Sequence, residues 1–132
     1  LQWQSSYMIT PMEKRVMQQQ TTTTGLTDKN FNCQVLENLH PFVVHFKANW
    51  SGSSDIMTCI MDDLARVYSG KITFGEIDAD KHRQIALKFG ITSIPTLLFF
   101  NKGKVIDQSI GIISKRELLD KLKALLHDTT QG

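Results

Sequence analysis

The spacing of hydrophobic residues changes several times after residue 25, and each change predicts a new element. Apolar residues recur at steps of three to five after Thr27 and Asp28, which predicts a first helix that ends at Pro41. Its apolar positions are Phe31, Val35, Leu36 and Leu39. The run PFVVHFKANW alternates instead, which predicts a buried strand whose shared face carries Phe42, Val44, Phe46 and Ala48.

The remaining pattern predicts an α/β protein. After the turn SGSS, a second helix is predicted with the apolar face Ile56, Met57, Ile60, Met61, Leu64, Val67 and Tyr68. KITFGEID reads as a strand, residues 81–88 as a short helix, and PTLLFF and KVIDQSI as a hairpin joined by residues 101–103. A last helix starts at Ser114, with the stripe Leu118, Leu119, Leu122, Leu125 and Leu126. With a short edge strand near 21–25, this order predicts a mixed sheet between helices.

Composition divides the chain into two parts. Residues 1–24 contain a Gln run and a Thr run without sustained periodicity, which predicts a flexible polar leader, with at most a short helix over 12–19. Residues 25–132 form the predicted domain. No basic and apolar secretory signal is visible, although an upstream signal that has been removed stays open.

Charge and cysteine content exclude several functional classes. The formal net charge of +2 gives no clustered basic excess, so no nucleic-acid partner is predicted. No apolar run approaches the roughly 18 residues of a membrane span. Two cysteines are too few for a disulfide scaffold, which favours a reducing compartment and a cytoplasmic location. We expect a monomer or weak dimer.

Two segments resemble the thioredoxin family. VVHFKANWSGSSDIM is similar to the family's active-site segment, where a buried strand runs into Trp-Cys-Gly-Pro-Cys at a helix start. KFGITSIPTLLFFNKGKVIDQSIG is similar to the region with the cis-proline, the hairpin and a glycine. The resemblance covers about residues 26–127. It implies the thioredoxin fold, a central mixed five-stranded β-sheet flanked by four α-helices, with a cis peptide bond at Pro95.

The two cysteines that carry the family's chemistry are absent. Their positions are Ser51 and Ser54, in Trp50-Ser51-Gly52-Ser53-Ser54. In the family the first cysteine is a thiolate at a helix N-terminus and the second resolves the mixed disulfide. A serine hydroxyl ionises far above neutral pH and forms no disulfide, so the degenerate motif excludes dithiol exchange at this site. We expect Ser53 or Ser54 to cap the helix instead.

Three supporting positions also depart from the family. The buried aspartate beneath the cysteines is His45, and its lysine partner on the next strand is Glu76. We expect this reversed pair to favour imidazolium, partly opposed by burial. The proline five residues after the second cysteine is Cys59. The joint departure favours natural divergence, while deliberate replacement of native cysteines stays open.

Other chemistries have weaker support in the sequence. Cys59 is a possible reactive thiol, but it lies more than a turn inside its helix and we expect it to be ordinary. Cys33 is expected on the outer side of the first helix. A hydrolytic pair of Ser51 and His45 is disfavoured, because His45 should lie beside the second serine. The scattered histidines predict no metal site, and no cofactor is predicted.

The positions that bind a polypeptide in the family are retained in this sequence. By resemblance, they are Trp50, Gly52, Ser93, Ile94, Pro95, Gly111 and Ile112. The prediction is a thioredoxin-like protein without the dithiol that acts as a polypeptide-binding or interaction module. The alternative is a thiol–disulfide oxidoreductase whose active-site cysteines were replaced by serine.

Overall fold

The computed structural model describes residues 23–131, with side chains described to residue 127. The predicted leader lies outside the described residues except for positions 23 and 24, and Thr24 begins the first strand. The elements in chain order are β1 (Thr24–Leu26), the single π-type turn α1 (Asn32–Leu36), β2 (Phe42–Lys47), α2 (Gly52–Val67), β3 (Thr73–Asp78), α3 (Arg83–Lys88), β4 (Thr96–Asn101), β5 (Lys104–Ile110) and α4 (Lys115–Gln131).

The five strands form one mixed sheet in the order β1-β3-β2-β4-β5. Strands β1, β2 and β3 are parallel, whereas β4 runs antiparallel to β2 and β5 runs antiparallel to β4. The thioredoxin fold with its mixed five-stranded sheet, predicted from the sequence, is therefore confirmed, except that the first of the four predicted α-helices is the π-type turn α1. Because β2 and β3 are parallel, their carboxyl ends meet at one edge, where β2 leads into α2 and β3 leads toward α3.

Each face of the sheet carries its own hydrophobic core. On one face, Val43 and Leu97 pack with the buried side of α2 and with the leucines of α4. On the other face, Val44 and Phe46 pack with residues of α1 and α3. Strand β2 is buried on both sides because its alternate residues feed both layers, and this explains its nearly continuous apolar sequence.

The β4–β5 hairpin has the turn that the sequence predicts. Lys102 and Gly103 both have positive φ, as a two-residue type I′ turn requires. Gly103 is also needed for space, because a Cβ there would overlap the carbonyl oxygen of Leu36. The Ile94–Pro95 peptide bond is cis, as the resemblance implies.

Three apolar residues assigned to buried faces lie in solvent. Leu39 is 72% exposed because α1 is only one turn long and ends before it. Ile56 and Val67 are 51% and 67% exposed, because the buried stripe of α2 runs through Met57, Met61 and Leu64 instead. None of the helices within residues 23–131 combines the length and apolarity needed to cross a membrane.

Candidate functional site

The start of α2 is capped by Ser51. Its Oγ accepts a hydrogen bond from the backbone N–H of Ser54 at 3.2 Å, and its extended backbone precedes the first helical residue, Gly52. The expectation that Ser53 or Ser54 caps the helix was therefore wrong. The cap moves to Ser51 because the helix begins one residue after it, so that Ser54 supplies the N–H donor rather than the acceptor.

Ser54 lies beneath this cap and is 1% exposed. Its Oγ has no hydrogen-bond partner among the described residues. A buried hydroxyl without a partner costs free energy, so Ser54 contributes little to stability through its polar atom. The two serines therefore differ: Ser51 satisfies the backbone, whereas Ser54 fills space.

His45 occupies the middle of β2 and is also 1% exposed. Its Nε2 has no hydrogen-bond partner within the described part of the chain. No hydrogen bond joins His45 to Ser51, whose Oγ already accepts from the helix backbone. The described residues therefore do not form the hydrogen-bonded pair that a Ser51–His45 hydrolase would need.

Glu76 lies directly opposite His45 in the register of β2 and β3. Its carboxylate forms an ion pair with Lys47 at 2.7 Å, and Thr23 donates a hydrogen bond to it at 3.5 Å. The charge of Glu76 is thus largely balanced by Lys47. The sequence analysis missed this lysine, although its spacing of two from His45 places both side chains on one face of β2.

Burial decides the protonation state of His45. The loss of solvent lowers its pKa from the ordinary 6.5 to about 4, although Glu76 acts to raise it, and Lys47 adds a smaller lowering effect. The expected imidazolium was therefore wrong. The error came from treating Glu76 as the dominant neighbour, whereas desolvation of the ring outweighs it.

Trp50 directly precedes the cap residue Ser51 and is 69% exposed. Its indole Nε1 donates a hydrogen bond to Asp80 Oδ2 at 2.6 Å. Asp80 follows the carboxyl end of β3, so this bond joins the two parallel strand ends. The exposed ring is thereby fixed in orientation while its face stays accessible.

The cis-proline loop lies beside Trp50. Thr96 Oγ1 donates to the carbonyl of Ser93 at 2.7 Å, and the N–H of Gly111 donates to the carbonyl of Pro95 at 2.7 Å. Gly111 has a φ of 85°, which favours glycine there. The backbone N–H and C=O of Ile94 make no hydrogen bond within residues 23–131.

A groove of about 500 Å³ runs from Trp50 along α3 to this loop. Of the predicted site residues, Trp50, Ser93 and Ile94 line it. Its other lining residues are Ala79, Asp80, Arg83, Ala86, Leu87, Ile91 and Thr92. The sequence analysis did not identify the charged and apolar positions of α3, whose alignment with the groove depends on how that short helix packs.

Four predicted residues lie outside the groove lining. Gly52 is the exposed first residue of α2, and Ile112 is 54% exposed beyond β5. Pro95 is buried, and Gly111 is hydrogen-bonded to it. Pro95 and Gly111 shape the loop backbone, while Ile112 offers an apolar surface of its own.

Both thiols are free and exposed. Cys59 lies in the second turn of α2, on its outer side, and Cys33 is on α1. Neither lies at the start of α2, where the family places its reactive sulfur. Among the described residues, no three histidine, cysteine or acidic side chains cluster in a way suited to a metal ion.

Comparison with known proteins identifies the family. The family model described as Thioredoxin matches residues 22–124. Thioredoxin 1 of Nostoc sp. is 35% identical over 98 residues, which cover 74% of this chain and 92% of that protein. The thioredoxin of Buchnera aphidicola is 37% identical over 97 residues, or 74% and 90% of the two chains. The thioredoxin of Rickettsia felis is 36% identical over 96 residues, or 73% and 91%. This chain belongs to the thioredoxin family.

Proposed function

We propose that this protein binds polypeptide segments in the groove beside Trp50 and performs no dithiol–disulfide exchange through Ser51 and Ser54. The observation that carries the proposal is an open groove, with an exposed and oriented Trp50, next to a helix start that has hydroxyls in place of thiols. In the family's site, the residues that bind the polypeptide differ from the two cysteines that exchange electrons. Binding can therefore persist where exchange is lost.

The absence of exchange follows from the chemistry of the helix start. The thiolate is the nucleophile in disulfide exchange, and a serine hydroxyl has no comparable anion near neutral pH. Ser51 is 7% exposed and its Oγ is bonded to the helix backbone, while Ser54 is buried. An incoming disulfide would therefore meet neither sulfur nor a freely accessible oxygen.

The binding role rests on unpaired backbone and exposed apolar surface. The N–H and C=O of Ile94 are available for β-type pairing with an extended segment, because no described residue satisfies them. Trp50 and Leu87, which are 69% and 75% exposed, would cover apolar side chains of that segment. Main-chain pairing tolerates many sequences, so we expect weak and broad recognition.

A disulfide-reduction assay tests the redox part of the proposal. With a disulfide-containing test protein and dithiothreitol as donor, the rate with this protein should equal the rate without it. A faster rate that persists in a Cys33→Ser/Cys59→Ser variant would overturn the proposal. A faster rate that Cys59→Ser alone abolishes would assign the activity to Cys59.

The second candidate is a thiol–disulfide oxidoreductase whose cysteines at positions 51 and 54 were replaced. It is favoured by relatives that carry the name thioredoxin. The codons of the natural gene at these two positions separate the candidates directly. For either candidate we propose a cytoplasmic location, which the two exposed free thiols support because thiols persist in a reducing compartment.

A further inference from the structure

We infer that the groove selects extended polypeptides in which an acidic side chain lies close to an apolar one, with Arg83 contacting the acidic group. This inference rests on the proposed polypeptide binding and adds the chemical class of the partner. It is carried by the charges and apolar side chains that α3 presents to the groove.

Arg83 is the cationic residue of the groove lining. It is the exposed first residue of α3, and no carboxylate among the side chains described, up to residue 127, forms an ion pair with its guanidinium. A planar guanidinium presents paired N–H donors that match a carboxylate. Arg83 is therefore available to a carboxylate from outside the molecule.

The acidic residue of the lining is already engaged. Asp80 accepts the indole N–H of Trp50 at 2.6 Å, and this bond orients the ring. Lys81 and Lys88 flank the groove residues of α3 and are exposed. Asp78, directly before this stretch, and Asp28, whose Oδ1 accepts the N–H of Ile85, offset the two lysines, so the preference for an acidic partner rests on Arg83 itself and not on net charge.

An apolar side chain accompanies the charge on the same helix. Leu87 lies four residues after Arg83, so the two side chains are neighbours on one face of α3, and both line the groove. Leu87 is 75% exposed, which is a large exposure for leucine. A segment paired with Ile94 would thus meet a cation and an apolar surface about one helical turn apart.

The test is a positional scan by fluorescence anisotropy. The labelled peptides would be eight residues long, extended, and composed of apolar and neutral residues. In each peptide one position would carry Glu, Gln or Lys, and every position would be tested in turn. At one position we expect Glu to bind about fivefold tighter than Lys, with Gln between them. This preference should weaken as the salt concentration rises.

Charge reversal at Arg83 makes the assignment specific. Arg83→Glu should invert the preference at that position, and Arg83→Gln should abolish it without inversion. The matched control is Lys71→Glu, which makes the same charge change at the opposite end of β3 and should leave the preference intact. Thermal unfolding of each variant checks that the fold is retained.

The outcomes separate this inference from the proposed function. Peptides that bind through Trp50 without any charge preference, or a preference unchanged by Arg83→Glu, would overturn the acidic selection and leave polypeptide binding in place. A preference that Lys71→Glu also inverts would assign the effect to net charge and overturn the role of Arg83. Absence of binding by every peptide would contradict the proposed function itself, and this inference with it.

Discussion

The start of α2 and the groove beside it lie only a few residues apart, yet one is closed and the other is open. Ser51, Ser54 and His45 are at most 7% exposed, whereas Trp50 and Leu87 are 69% and 75% exposed. The closed region retains backbone capping and packing but has no accessible nucleophile. The open region retains unpaired backbone and oriented side chains. The comparison shows that catalysis and binding make separate physical demands, even within one short segment.

Cysteine at both closed positions should give the largest change in activity. A thiol at a helix N-terminus has a lowered pKa, so Ser51→Cys/Ser54→Cys should reduce a test disulfide at least about tenfold faster than the present protein. The chain with both serines is a built-in control, because its two exposed thiols lie away from the helix start. An unchanged rate would mean that more than the two sulfur atoms separates this site from an active one.

The closed region should also make stability depend on pH. In the unfolded chain, His45 binds a proton below about pH 6.5. In the folded protein it binds that proton only near pH 4, because burial lowers its pKa to about 4. The free energy of unfolding should therefore fall by about 3 kcal/mol between pH 6.5 and pH 4. It should be insensitive to His45 above pH 6.5.

Asp62, a residue of α2, acts on stability in the opposite direction. Burial, and then the nearby Glu76, raise the pKa of Asp62, so its protonation favours the folded state as the pH falls. Urea unfolding of the unsubstituted protein and of His45→Gln at pH 7 and pH 4.5 separates the two effects, because only the unsubstituted protein contains the His45 contribution. An NMR titration of the ring provides a check on the folded protein, and a pKa of 6.5 or higher for His45 would refute the account.

In the open region, truncation should weaken binding without unfolding the protein. Trp50→Ala should weaken peptide binding about tenfold, or about 1.4 kcal/mol, because it removes the exposed aromatic surface. Ile112→Ala should have a smaller effect, since Ile112 lies outside the groove lining. Leu39→Ala is the control, because Leu39 is equally exposed and precedes β2 at the opposite sheet edge. Equal affinities for all four proteins would place binding elsewhere.

Alanine substitution of the two serines should change the free energy of unfolding differently, with no effect on activity. Ser51→Ala should lower the free energy of unfolding by about 1 kcal/mol, because it removes the hydrogen bond to the Ser54 N–H. Ser54→Ala should be neutral or slightly stabilising, since its hydroxyl is buried without a partner among the described residues. Urea denaturation measures both, and a larger loss for Ser54→Ala would reveal a role for that hydroxyl.

The sequence was sufficient for the fold because its signals are local and redundant. The alternating run before Trp50 and the turn at residues 102–103 each specify their element, and the resemblance to thioredoxins orders them. The predicted buried face of α2 was wrong at Ile56 and Val67, which are exposed. Periodicity alone cannot decide how a helix is rotated against the sheet, since that rotation depends on the packing of distant residues.

The site was predicted less completely than the fold. Trp50 and Ile94 follow from the family motif, but Arg83 and Leu87 reach the groove only through the placement of α3 after β3. The protonation state of His45 depends on the depth of burial, which a sequence does not give. Desolvation by burial and the packing of short helices are thus the physical effects that could be read only from the structure.

One pair of peptides tests the central claim most directly. The peptides would be identical acidic, extended segments except for a central Cys in one and Ser in the other, and their Kd values would be measured in reducing buffer. Binding in the groove without electron exchange predicts equal Kd values and complete release of both peptides on dilution. A cysteine peptide that binds while the serine peptide does not would contradict the account, because recognition would then require sulfur.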